Sequence, residues 1–96
     1  MMETQPVVDW LIGWMRERSR LEGKLDFPTT VNYVDAGWVD SLGTIQLIAA
    51  AEARYGIRFN EGHMADPAFL TLAGLADLIV ALQEAKLARP VPRGIR

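Results

Sequence analysis

Ninety-six residues, half of them apolar, suffice for one small domain with a single core of modest size. A formal net charge of −2, with no basic, aromatic-studded face, argues against nucleic acid as a partner. The absence of cysteine excludes a disulfide framework and a thiolate nucleophile, so any reactive thiol has to be imported.

The longest apolar runs fall far short of a membrane span, and Met1 to Gln5 lacks the basic start and apolar block of a signal peptide. The expectation is a cytoplasmic protein. Thr4 is a candidate N-cap, Pro6 suits a first helical turn, and Val8, Leu11, Ile12 and Met15 recur at i, i+3, i+4 and i+7. This spacing predicts a helix over 5–21. Trp10, Trp14 and Leu21 form an adjoining stripe, a face wide enough for two neighbours, and both tryptophans read as packing residues. Arg16, Arg18, Arg20 and Lys24 gather near the C-terminal end, where cations suit the helix dipole; they read as a solvated helix end rather than an anion site. Gly23 is the stop.

From Lys24 to Asp40 neither period is sustained, and so long a loop in a small domain is normally functional. Phe27, Val31, Tyr33, Val34 and Trp38 supply apolar anchors that fold it against the helices, with a short turn near Thr30 to Val34. Gly37 offers an unusual backbone angle just ahead of Ser41.

Ser41 to Tyr55 is rich in strong helix formers and is followed by Gly56, which predicts a helix over 41–55. Asp40 and Ser41 are both N-cap residue types. The helix therefore starts at one of them, with the Ser41 hydroxyl close to unpaired N–H groups, where a phosphate is well placed. By spacing alone, Ser41 reads first as a simple cap. Leu47, Ile48, Ala51 and Tyr55 make one apolar face of this helix, and Leu42, Ile45 and Ala49 make another. The second face is either buried by a surrounding bundle or an exposed docking strip.

Ile57 and Phe59 turn inward as the chain crosses over, and Asn60 or Asp66, the latter followed by Pro67, can cap a short helix within 61–69. His63, the only histidine, has no partner at a telling spacing and reads as an ordinary surface or loop residue. Thr71 caps a last helix, about 72–86, with Leu72, Leu75, Leu78, Ile79 and Leu82 on its apolar face. Residues 1–87 thus form one domain and 88–96 a polar, Pro-broken flexible tail. The fold class is all-α: three main helices and one short one in a bundle, with a long loop between the first two.

No Gly-rich phosphate loop, metal cluster or Ser-His-Asp set is present. A serine hydroxyl without a base is unreactive near neutral pH, so Ser41 reads as a substrate group and the chain as no enzyme.

Tyr33-Val-Asp-Ala-Gly-Trp-Val-Asp40-Ser41-Leu-Gly-Thr-Ile-Gln-Leu-Ile, Ala51-Glu-Ala-Arg-Tyr-Gly-Ile57 and Phe69-Leu-Thr71-Leu, with the closing amphipathic helix, cover about residues 30 to 82. Together they resemble the acyl carrier and peptidyl carrier superfamily, and Gly37 to Leu47 is most similar to D-alanyl carrier proteins and other free-standing aminoacyl carriers. Asp40-Ser41-Leu42 matches the family's attachment motif for 4′-phosphopantetheine. The resemblance implies a four-helix carrier fold, with the arm transferred from coenzyme A to Ser41 by a phosphopantetheinyl transferase. Asp40 would assist that transferase through its metal, and Leu42 would contact it. An adenylating acyl or aminoacyl ligase would then load the arm, and a downstream enzyme would take the group from a monomeric carrier. Beside Ser41, Trp38, Leu42, Ile45 and Ala49 have the composition of an apolar docking patch for the ligase. Two alternatives stay open. One is a fatty-acyl or polyketide carrier, although those usually make this helix strongly acidic, and here Glu52 stands alone against Arg54. The other is an unmodified helical adaptor.

Overall fold

A computed structural model describes residues 3–18 and 27–88, and the structural account below concerns those. The first helix, α1 (Gln5–Arg18), begins where the Thr4 carbonyl accepts from Val8 N at 2.9 Å. Its core side is Val7, Leu11, Trp14 and Met15, with Val8 and Ile12 half-buried. The buried stripe is therefore turned from the expected one by about one residue. Val7 and Trp14 lie one turn before Leu11 and one turn after it, and burying the large indole removes more apolar surface from water than burying Val8 or Ile12. Leu21, Arg20, the stop at Gly23 and Lys24 lie outside the described residues.

The other elements are α2 (Ser41–Tyr55), α3 (Glu61–Ala65), a 3-10 turn η1 (Pro67–Leu70) and α4 (Leu72–Ala88). No strand is present among the described residues, and the architecture is the expected all-α bundle of three main helices and a short one. The 61–69 region holds two short elements where one was expected, because both candidate caps are used. Asn60 Oδ1 accepts from His63 N at 2.8 Å to start α3, and Asp66 Oδ1 accepts from Ala68 N at 2.9 Å to start η1. Thr71 caps α4 as expected, its hydroxyl oxygen accepting from Gly74 N at 3.0 Å. The helix continues to Ala88, past the expected end near 86, and the tail from 89 onward lies outside the described residues.

Leu11, Met15, Leu47, Leu72, Leu75 and Ile79 are fully buried and draw α1, α2 and α4 into one core. Helix α4 packs against α1 and against η1, which precedes it. The α1 to α2 contact is aromatic: Trp10 meets Tyr55 edge to face with ring centres 5.6 Å apart. At the far end of α2, Gly56 takes the left-handed conformation that stops the helix. Side chains of α4 then cover the last carbonyls, with Gln83 Nε2 donating to Tyr55 O and Lys86 Nζ to Gly56 O.

The long loop is fastened to the opposite end of the bundle. Tyr33 N donates to Leu70 O, the buried Tyr33 hydroxyl donates to Phe69 O at 2.9 Å, and Ala73 N donates to Thr29 O. A single antiparallel bridge joins Asn32 to Thr71. Phe27 and Trp38 close the loop on itself, their rings edge to face at 4.9 Å. These contacts determine where the loop delivers Asp40 and Ser41.

Candidate functional site

The loop turns toward α2 through local hydrogen bonds. Asn32 Oδ1 accepts from Val34 N and Asp35 N, the side-chain turn to which asparagine is suited. Trp38 N then donates to Tyr33 O, and Gly37 between them sits at φ +79, a region open to glycine and costly for other residues. Trp38 and Val39 enter the core and Asp40 emerges at the surface.

Asp40, not Ser41, is the N-cap. Its backbone is extended, its Oδ1 accepts from Gly43 N at 2.8 Å and its carbonyl accepts from Thr44 N. Ser41 is thereby relieved of capping. It is the first residue of α2, exposed to solvent, and its hydroxyl makes no hydrogen bond to a described side chain. Gly43 lets the loop approach this closely, since a Cβ there would lie 2.9 Å from Val39 Cβ.

An open cleft runs beside Ser41, between Val34 and Gly37 of the loop, Gly43 and Gln46 of α2, and Arg18 of α1. Reading the sequence alone did not bring Arg18 or Gln46 to the site. Arg18 belongs to a helix on the other side of the long loop and carries no local signal of the association. Its guanidinium lies 4.8 Å from the centre of the Trp14 ring and 3.1 Å from Glu17 Oε1.

The four residues expected to form an apolar docking patch separate into two groups. Leu42 and Ile45 are each 63% exposed and Ala49 is exposed too, on the face of α2 opposite the buried Leu47 and Ala51. Trp38 is corrected: only 3% of it is exposed. A large aromatic next to the core gains more from burial against Phe27 than from solvent, so its ring is a loop anchor and offers nothing to a partner. The alternative that α2 is buried all round is set aside by the exposure of Leu42 and Ile45. The one acidic side chain of this helix is already engaged within the fold, since Glu52 Oε2 accepts from Phe59 N at 3.0 Å.

His63 stands at α3, where its Nδ1 accepts from Asn60 N at 3.0 Å. It is a structural partner, more than the ordinary surface residue expected. Among the described residues, no group of three or more His, Cys, Asp or Glu side chains could hold a metal ion, and no helix is long and apolar enough to cross a membrane.

No protein-family model, curated protein or solved structure matches this chain.

Proposed function

We propose that this chain is a free-standing carrier that holds an acyl or aminoacyl group on a 4′-phosphopantetheine arm attached to Ser41. The observation that carries the reading is Ser41 itself, exposed at the first residue of α2 while Asp40 does the capping. The site suits such a group. Ser41 is exposed, the cleft beside it among the described residues is open, and a helix start leaves amide N–H groups unpaired, which favours a phosphate there. When attached, the arm supplies the thiol that this cysteine-free chain lacks, and an acyl group is held on it as a thioester.

Ser41 offers its hydroxyl oxygen to the phosphorus of coenzyme A in a transferase, which takes up the serine proton and releases the nucleotide. Asp40, exposed beside it, presents its carboxylate toward the transferase's metal, and Leu42 presents an apolar contact. An adenylating ligase loads the carrier and a second enzyme removes the group. Ser41 does not activate itself: the one histidine is tied to Asn60 in α3. A fatty-acyl or polyketide cargo is the weaker reading, since α2 shows partners almost no acidic charge. An unmodified helical adaptor is the other class.

Mass spectrometry after incubation with coenzyme A, magnesium and a broad-specificity transferase separates these classes. One phosphopantetheine is expected on the wild type and none on Ser41→Ala. An unmodified wild type, or addition that survives Ser41→Ala, would refute the carrier reading.

The ligase docks on the exposed strip of Leu42, Ile45 and Ala49, and Trp38 has no part in it. Ile45→Ala therefore raises the ligase's KM with the fold intact, by a few-fold to about tenfold for one exposed apolar anchor. Loading also changes little with salt, because screening acts on charges and this strip has none. Normal loading of Ile45→Ala together with a steep decline in salt would restore a charge-led contact.

A further inference from the structure

We infer that the pair Asn60 and His63 is a pH-sensitive latch on α3. The two residues bond reciprocally: Asn60 Oδ1 accepts from His63 N at 2.8 Å, and His63 Nδ1 accepts from Asn60 N at 3.0 Å. This is the geometry of a capping box, in which glutamate or glutamine usually supplies the second acceptor. Glutamine keeps its acceptor at any pH. Imidazole does not, because protonated Nδ1 becomes a donor facing the Asn60 N–H, and histidine is the side chain that changes charge across the near-neutral range.

The latch closes a short element with little else to hold it. Helix α3 has five residues, none of them buried, and its contacts are mainly with η1. Half-buried His63 packs edge to face on Phe59 at 6.4 Å, and Phe59 in turn meets Phe69 of η1 at 5.2 Å. The charged residues on its own and the adjoining segments are Glu61 in the same helix, Asp66 at the turn into η1 and Arg58 ahead of Asn60, and the Glu52 carboxylate is engaged by the N–H of Phe59, the ring on which His63 packs. Carboxylates can attract an imidazolium, but none restores an acceptor for Asn60 N. Acidification therefore releases the start of α3 while α1, α2 and α4, whose caps are Asp40, Thr71 and backbone groups, stay formed. The latch operates whether or not Ser41 carries an arm.

Nuclear magnetic resonance between pH 8 and pH 5 tests this on the full chain. At the high end the imidazole nitrogen shifts should report the tautomer with the proton on Nε2, leaving Nδ1 as the acceptor. On acidification the Cα shifts of residues 61–65 should move toward coil values in step with the His63 titration, the ratio of formed to frayed α3 falling roughly fivefold, as for one net hydrogen bond. His63→Gln should hold α3 formed at both ends of the range, and His63→Ala should leave it frayed at both. Helical shifts that do not follow the His63 titration, or the same loss on acidification in His63→Gln, would overturn the latch.

Discussion

Replacing Gly74 by alanine is expected to destabilise the protein by about 3 kcal/mol, the upper end of the usual range for overpacking a close contact. In a helix interior the same change ordinarily gains up to about 1 kcal/mol through better propensity. Here the contact decides the sign. Gly74 lies in the first turn of α4, directly against η1, and a Cβ built on it would lie 2.1 Å from the Ala68 carbonyl oxygen and 2.8 Å from Ala68 Cβ. That carbonyl cannot move aside freely, because it accepts from both Thr71 N at 3.1 Å and Thr71 Oγ1 at 3.0 Å. The strain therefore spreads to the Thr71 cap and to the junction that fastens the long loop. Gly13 in α1 is the control, since nothing lies within 4 Å of a Cβ there, and Gly13→Ala should be neutral or stabilising. Urea unfolding midpoints of the two variants measured side by side give the answer. A Gly74→Ala protein as stable as the wild type would mean that η1 and α4 are not in close contact.

Tyr33 carries the second large effect, because it is the pin that joins the loop before Ser41 to the rest of the bundle. The residue is 0% exposed and its hydroxyl donates to Phe69 O across the fold. Tyr33→Ala removes a buried aromatic and should cost about 3–5 kcal/mol. Tyr33→Phe keeps the ring and isolates the hydrogen bond; with the Phe69 carbonyl losing that donor, a cost of about 1–2 kcal/mol is expected near pH 7.

The hydroxyl also links stability to pH. Burial raises the Tyr33 phenol above its ordinary range, so the folded state holds this proton more tightly than the unfolded chain does. The stabilisation is fully present below the unfolded value of about 10 and is lost as the pH rises beyond it. The gap between wild type and Tyr33→Phe should therefore narrow in alkali. Chemical denaturation at pH 7 and above pH 10 checks both parts. Equal stability of the two proteins at pH 7 would deny the hydroxyl any structural role.

Much of this molecule is decided over short distances along the chain, and that part is legible in the residues. The span of α2 follows from helix formers between Asp40 and Gly56, and the starts of η1 and α4 from Asp66 and Thr71; the residues leave open which of Asp40 and Ser41 caps α2, and Asp40 Oδ1 accepting from Gly43 N decides it. Capping and helical periodicity depend on residues three or four apart, which are neighbours whatever the rest of the chain does. The Asn60 and His63 pair is equally local, yet it carries histidine where the familiar pattern has glutamate or glutamine.

The tertiary structure alone decided which apolar residues near Ser41 face a partner. Trp38, Leu42 and Ile45 are all apolar and close in sequence, but Trp38 is drawn inward by Phe27 and by the Tyr33 turn while the other two point to solvent. It also brought Arg18 to the cleft, engaged Glu52 with Phe59 N and set Gly74 against Ala68. Each of these depends on how separate elements pack together. Such associations are selected by burial and by the pairing of buried polar groups over the whole chain, and no local spacing encodes them.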